Sequence, residues 1–146
     1  MINKGLFSSA SVHWETPEAL YRELDKEFHF DDDPCPLYGE GGLDRPWGEG
    51  GLDRPWGKRI FMNPPYGREI SKWLLEAWKL SVVGNRIVVC LIPSRTDTKW
   101  WHEYVMKADE IRFLRGRLKF SGAKNSAPFP SAIAIFGSLA TVNGKH

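Results

Sequence analysis

The sequence has few cysteines and no long apolar run, and both absences narrow the classes of protein to which it can belong. Its 146 residues include only two cysteines, Cys35 and Cys90, whose spacing matches no metal-binding motif. Two cysteines cannot build a disulfide-rich secreted scaffold, so a reducing cytoplasm is the expected setting. The longest clear apolar run, Ile87 to Ile92, is far too short to span a bilayer. No membrane association and no signal peptide are therefore expected.

The net charge of +2 is small, but it is divided unevenly along the chain. Residues 1–85 hold 10 Lys and Arg against 14 Asp and Glu, whereas residues 86–146 hold 10 against 4. Such a division fits a protein that binds a cationic small molecule on one side and a polyanion on the other. A chance division over a solvated surface explains it equally well.

Helical and strand patterns alternate and predict a single α/β domain over residues 13–137, between a flexible N-terminus (1–12) and a C-terminal tail (138–146). Such alternation favours a mixed, mostly parallel sheet with helices on its faces, in which ligands bind beyond the carboxyl ends of the strands. The predicted helices are 17–27, about 69–82 and about 98–107, and the predicted strands are 28–33, 59–62, 86–92, 111–114 and 131–136.

Local signals predict how several of these elements begin and what they bury. Thr16 is expected to cap the first helix with Pro17 as its first residue, and Thr96 or Asp97 is expected to cap the third. Cys90 lies within the most apolar strand and is expected to be a core residue rather than a reactive thiol.

Residues 40–57 contain an exact tandem repeat, because the nine residues Glu40 to Gly48 recur as Glu49 to Gly57. Two units are too few for a solenoid, and the glycine and proline content predicts a loop. Trp56 adjoins the next predicted strand, so the second copy is expected to pack against the domain while the first is an inserted loop.

Three consecutive acids, Asp31, Asp32 and Asp33, are followed by Pro34-Cys35-Pro36 at a predicted strand end. Their mutual repulsion predicts a positive group nearby. An acid here could bind a cationic cofactor, while a divalent metal would require further oxygen ligands that the sequence does not reveal. A solvated acidic turn is the third interpretation.

The tetrapeptide Asn63-Pro64-Pro65-Tyr66 follows the apolar strand Arg59–Met62 and precedes Gly67. The two prolines fix φ near −65° and remove two backbone donors, and Pro64 excludes Asn63 from the helical region. A stiff loop results, which presents an amide oxygen, a carbonyl and an aromatic face together. Such a loop suits a flat ring with an exocyclic amine, because the oxygens accept its hydrogens and Tyr66 stacks on it.

Several motifs in order resemble those of the phage-type DNA N-6-adenine methyltransferases of the Dam class, over about residues 13–137. They are Trp14-Glu15-Thr16-Pro17, Asp33-Pro34-Cys35-Pro36, Asn63-Pro64-Pro65-Tyr66-Gly67, Ile92-Pro93-Ser94-Arg95-Thr96-Asp97 and Lys124-Asn125-Ser126-Ala127-Pro128-Phe129-Pro130. The resemblance implies a reduced Rossmann-like fold that transfers a methyl group from S-adenosylmethionine (SAM) to the N6 amine of adenine in DNA. A cytoplasmic location in a bacterial host follows from it, since many members are carried by phages and prophages.

The resemblance implies a role for each motif. The catalytic residues would be Asn63, Pro64, Pro65 and Tyr66, with no metal. The SAM-binding residues would be Trp14, Thr16, Pro17, Asp31, Asp33 and Cys35. The DNA phosphates would be met by Arg95, Arg115, Arg117, Lys119 and Lys124, although each basic residue also fits a merely solvated surface.

The sequence departs from larger methyltransferases in two respects. The Gly-rich loop that usually follows their first strand is replaced by the Asp33–Pro36 turn. A separate DNA-recognition domain is also missing, which favours a homodimer or relaxed sequence specificity. Methylation of RNA or of a protein glutamine, and a non-catalytic nucleic-acid-binding protein, are the alternatives.

Overall fold

The computed structural model describes residues 14–35 and 50–142. The predicted flexible N-terminus, the first copy of the tandem repeat and the end of the tail lie outside these described residues. The elements in chain order are helix α1 (Glu18–Phe28), a 3₁₀ turn (Gly51–Asp53), strand β1 (Arg59–Met62), helix α2 (Ile70–Val83), strand β2 (Ile87–Pro93), helix α3 (Lys99–Glu103), a 3₁₀ turn (Val105–Lys107), strand β3 (Glu110–Phe113), strand β4 (Ser131–Phe136) and helix α4 (Leu139–Val142).

The four strands form one open sheet in the order β1-β2-β4-β3. The β1–β2 pair is parallel, but β4 runs antiparallel to both β2 and β3. The expectation of a mostly parallel sheet is therefore wrong. The direction of β4 explains the difference, since the 114–130 segment begins and ends at the end of the sheet at which β2 and β3 finish, so that β4 runs back in the opposite direction.

Both faces of the sheet are covered, as the continuous apolar sequence of β2 predicts. Val88, Cys90 and Ile92 face one way and pack with the buried side chains of α2, while Val89 and Leu91 face the other. The second face is covered by α1 and by apolar side chains of the 114–130 segment. Cys90 is fully buried, which confirms its prediction as a core residue.

The apolar spacing of α1 and α2 explains which of their side chains are buried. Leu24 and Phe28 of α1 lie one helical turn apart and pack on one face of the sheet. The α2 stripe of Ile70, Trp73, Leu74 and Ala77 is buried against the other face. These helices, together with β1, β2, β3 and β4, lie within one residue of their predicted bounds.

The capping residues, and the extent of the third helix, were predicted less well. Pro17, rather than Thr16, occupies the cap position of α1, with extended φ and ψ of −60° and 130°, and no side chain caps this helix. Helix α3 is capped by Thr98, whose hydroxyl accepts from the Trp101 N–H, and not by Thr96 or Asp97. The predicted helix 98–107 divides into α3 and a 3₁₀ turn at Tyr104, whose φ and ψ of −121° and −49° interrupt the helix.

The predicted strand at residues 28–33 contributes only a single parallel bridge, between Asp32 and Ile60 of β1. The acids of this segment bond to the loop that precedes β1 and to the start of β1, and they do not continue a strand. The positive partner expected for them is Arg54, which pairs with Asp32 at 2.9 Å.

The second copy of the tandem repeat packs against the domain as predicted. Trp56 is buried, stacks on Trp73 of α2 at a centroid distance of 6.0 Å, and donates its indole N–H to the Gly51 carbonyl at 2.8 Å. Gly51 cannot be replaced without rearrangement, because a Cβ there would lie 2.0 Å from the Pro34 carbonyl oxygen.

Candidate active site at the carboxyl rim of the sheet

One edge of the sheet, here called the carboxyl rim, gathers most of the predicted site residues. It is formed by the ends of β1 and β2 and by the start of β4, because Met62 is in register with Cys90 and Pro93 with Ser131. The segment that follows the Asp32 bridge runs parallel to β1, so Asp33 and Cys35 also point toward this rim. The topology therefore places three predicted motifs at one end of the sheet.

Asn63 is a buried polar residue of this rim, with 5% of its surface exposed. Its amide nitrogen donates to the Trp14 carbonyl at 2.5 Å and to the Thr16 hydroxyl at 3.0 Å. Its oxygen accepts from the Tyr66 hydroxyl at 2.9 Å. The amide is thus bonded at both ends, as a buried polar group requires.

Tyr66 lies over the turn and connects it to β2. Its hydroxyl also lies 3.5 Å from the Leu91 carbonyl oxygen. Burial raises the pKa of the Tyr66 phenol well above its ordinary value, so the hydroxyl stays protonated and can donate to Asn63. Gly67 follows with a φ of +100°, a conformation that favours glycine and lets the chain turn sharply into α2.

Four aromatic rings pack together beside Asn63, and sequence reasoning had assigned no role to two of them, Phe120 and Phe129. Trp14 lies 5.3 Å from both rings, and Phe129 meets Tyr66 edge-on at 5.8 Å. The guanidinium of Arg95 lies 5.5 Å from the centre of the Phe129 ring. The prolines on either side of Phe129 were the available signal, since they hold that residue in an extended segment.

The three acids of the Asp31–Asp33 run have separate positions. The Asp31 carboxylate accepts from the backbone N–H groups of Lys58 and Arg59, at the start of β1. That is the opposite end of the strand from Asn63, so the structure does not bring Asp31 to the carboxyl rim. Burial acts to raise the pKa of Asp32, but the hydrogen bonds from Arg54 and from the Gly57 N–H hold it below its ordinary value.

Asp33 is the acid that lies toward the rim. Burial, aided by the charge of Asp32, raises the pKa of Asp33 to about 6, although its carboxylate accepts the Cys35 N–H at 3.0 Å. Burial likewise raises the pKa of the Cys35 thiol well above its ordinary value, so this cysteine is not a thiolate nucleophile. Pro17 is half-buried at the cap of α1, next to Thr16.

The raised pKa of Asp33 predicts a pH-dependent stability. The folded protein keeps this proton up to a pKa of about 6, whereas the unfolded chain loses it near 3.8. The contribution of this proton to the free energy of unfolding is therefore present below about pH 4 and is lost as pH rises through about 6, by about 3 kcal/mol. Asp33→Asn should abolish this loss, and urea unfolding at several pH values measures it. Asp97→Asn, at an exposed position, is the control, and a pH dependence that Asp33→Asn leaves unchanged would contradict the assignment.

The predicted DNA-binding cations are all exposed. They belong to segments that follow the strand ends at the carboxyl rim. Arg95 follows β2, and Arg115 and Arg117 follow β3, whose last residue is in register with Ala132 near the start of β4. Lys119 and Lys124 continue along the segment between β3 and β4. None of these five cations forms an ion pair with another residue of the described ranges.

Within the part of the chain that the structure describes, no three His, Cys, Asp or Glu side chains are grouped to hold a metal ion. No helix of that part is long and apolar enough to cross a membrane.

Comparison with known proteins gives two matches and one negative result. The model of the family described as DNA N-6-adenine-methyltransferase (Dam) matches residues 6–139. A DNA N-6-adenine-methyltransferase of Haemophilus phage HP1 (strain HP1c1) is 27% identical over 106 residues, which cover 69% of this chain and 61% of the relative. The chain thus spans about three fifths of the length of that relative. No solved structure matches the chain.

Proposed function

Because the chain belongs to the Dam family of DNA N-6-adenine-methyltransferases, we propose that it methylates the exocyclic N6 amine of adenine in DNA, with SAM as the methyl donor. The observation that carries the proposal is the buried Asn63 at the carboxyl rim, whose amide oxygen is turned toward Tyr66. A carbonyl oxygen has two lone pairs, so Asn63 can keep the Tyr66 bond and still accept one hydrogen of the adenine amine.

The amine is a weak nucleophile because its lone pair is delocalised into the purine ring. Asn63 and the Pro64 carbonyl would accept its two hydrogens, draw the nitrogen toward tetrahedral geometry and localise the lone pair. Pro65 keeps the loop rigid, since its ring fixes φ. Catalysis would thus be positional and electrostatic, and no covalent bond to the enzyme is required.

The residues present fit a cationic cofactor. Asp33 is a largely buried carboxylate with a raised pKa, while the nearby Arg54 is paired with Asp32. A bound cation would compensate the desolvated charge of Asp33. When bound, SAM would supply an electrophilic methyl group. We assign its binding to Asp33 and Cys35 together with the Trp14–Pro17 segment, and we exclude Asp31, which bonds to the start of β1.

The fold and the surface charge are consistent with this function. The parallel β1–β2 pair, extended by the Asp32 bridge and covered on both faces, supports a reduced Rossmann-like methyltransferase domain over residues 13–137. The five exposed cations named above would contact phosphates, and the target adenine would leave the duplex to reach Asn63. We further propose that the protein acts as a homodimer in the bacterial cytoplasm.

The direct test incubates the protein with radiolabelled SAM and unmethylated duplex DNA, then digests the DNA and identifies the labelled nucleoside. N6-methyladenine is the expected product. Label in another nucleoside, in RNA or in a protein glutamine would show that the same methyl transfer acts on a different amino or amide nitrogen. SAM binding without label in any of these substrates, or no SAM binding at all, would overturn the proposal.

Substitution of Tyr66 separates its ring from its hydroxyl. Tyr66→Ala should lower kcat/KM by about 5- to 100-fold, because it removes the surface on which the base stacks. Tyr66→Phe keeps the ring and should cost less than about tenfold, because it removes one hydrogen bond to Asn63. Steady-state kinetics on a short duplex measure both, and equal losses would argue against stacking.

A further inference from the structure

The orientation of the Asn63 amide is fixed from outside the Asn63–Tyr66 turn. A backbone carbonyl oxygen can only accept hydrogen bonds. The Asn63 atom 2.5 Å from the Trp14 carbonyl oxygen must therefore be the amide nitrogen. The Thr16 hydroxyl accepts from the same nitrogen, so the amide oxygen faces the other way, toward the Tyr66 hydroxyl.

From this geometry we propose that Thr16, together with the Trp14 carbonyl, is a positioning residue that makes Asn63 a hydrogen-bond acceptor toward the substrate. This inference rests on the proposed function and specifies its substrate class. With the oxygen on the Tyr66 side, Asn63 accepts from a base that carries an amine, as adenine and cytosine do. It opposes a base that presents a carbonyl there, as guanine and thymine do, because two acceptors would face each other without a proton.

The positioning segment is itself held by a distant part of the chain. The Glu15 carbonyl accepts from the Ser121 N–H at 3.0 Å, and the Thr16 carbonyl accepts from the Ser121 hydroxyl at 3.1 Å. The Trp14 ring packs between Phe120 and Phe129. Since Thr16 does not cap α1, its hydroxyl is available to Asn63. The segment between β3 and β4 therefore fixes which end of the amide faces the substrate.

Thr16→Val and Thr16→Ser form a matched pair for the test. Valine has nearly the shape of threonine but no hydroxyl, so kcat is expected to fall about tenfold. KM for SAM and for DNA should stay within about twofold, because the substitution removes only the hydroxyl that bonds to Asn63 and leaves the backbone of the Trp14–Pro17 segment, which would contact SAM, unchanged. Serine keeps the hydroxyl and should recover kcat to within about threefold of the wild type. Unchanged kcat in Thr16→Val would overturn the proposal. A rise in KM for SAM with normal kcat would do so as well, because the hydroxyl would then serve the cofactor.

A measurement that does not depend on turnover separates this inference from the proposed function. The side-chain amide signal of Asn63 can be identified by NMR as the one missing from Asn63→Ala. Its hydrogens should exchange slowly in the wild type and in Thr16→Ser, and faster in Thr16→Val. Equal exchange in all three proteins would overturn the positioning role, even if the enzyme methylates adenine. Slow exchange in a protein that does not methylate adenine would support the orientation of the amide and contradict the proposed function.

Asn63→Asp tests the orientation through a pH profile. One carboxylate oxygen would face the Trp14 carbonyl, and this repulsion favours the protonated acid, which can donate to that carbonyl in place of the amide. Relative to the wild type, the activity of Asn63→Asp should therefore rise as pH falls from about 8 to about 5.5. A wild-type pH profile in this variant would contradict the geometry.

Discussion

Asn63→Ala is expected to lower kcat for adenine methylation by about 10²- to 10³-fold, the largest effect of any single substitution considered. The variant loses the amide oxygen that would accept a hydrogen of the adenine amine, so the nitrogen lone pair would stay delocalised. The dissociation constant for SAM should change by less than about threefold, since the assigned cofactor contacts lie mainly on Asp33 and Cys35. Single-turnover methylation and isothermal titration with SAM measure the two quantities.

The same substitution has a structural cost that must be separated from the loss of chemistry. It leaves the Trp14 carbonyl, the Thr16 hydroxyl and the Tyr66 hydroxyl without the partner they share. A loss of about 1–3 kcal/mol in the free energy of unfolding is expected. Activity should therefore be measured well below the melting temperature. Asn85→Gly is the matched control. Asn85 is exposed and precedes the start of β2, which is the end of the strand away from the rim, and its φ of +52° is one that glycine also adopts. Near-normal turnover in Asn63→Ala would refute the assigned chemistry.

Reversal of two charges, Arg115→Glu with Arg117→Glu, should weaken DNA binding by about 10²-fold at moderate salt. Both side chains are exposed beyond the end of β3, near the rim that holds Asn63. If each contacts one phosphate, the slope of log K against log salt should become shallower by about two. Fluorescence anisotropy with a labelled duplex over a salt series gives both values. The change should be similar for duplexes of different sequence, because phosphate contacts carry no direct sequence information.

The control for this reversal is the pair Lys26→Glu and Lys79→Glu, which changes the net charge equally. Lys26 and Lys79 lie on α1 and α2, where they already pair with Glu23 and Glu76. Their reversal should weaken binding much less than the reversal beside the rim. Equal weakening by both pairs would show that net charge, and not a localised basic surface, governs DNA binding.

Most of the element positions could be predicted because they depend on local pattern. The α2 stripe, the continuous apolar run of β2 and the rigid turn after Met62 are each determined within a few residues by apolar spacing and proline geometry. Trp56 could be predicted to dock because it immediately precedes a buried strand. The position of Asn63 at the carboxyl ends of β1 and β2 could be predicted in the same way, because neighbouring parallel strands end on the same side of a sheet.

Strand direction could not be predicted from local pattern. The antiparallel pairing of β4 depends on contacts with β2, about forty residues earlier, and an apolar strand has the same pattern whether it runs up or down. Asp31 and Asp33 differ for a similar reason: they are neighbours in an acidic run, yet the bridge at Asp32 directs one to the start of β1 and the other toward the rim.

The sequence by itself determined that an amide, two prolines and an aromatic ring stand together at a strand end, because those four residues are adjacent. Tertiary structure alone decided which way the Asn63 amide points, since its partners Trp14 and Thr16 are more than forty residues away in the chain. The same holds for the rings of Phe120 and Phe129 around Trp14. Adjacent residues share a geometry fixed by covalent bonds, whereas contacts between distant residues exist only after the whole core has packed.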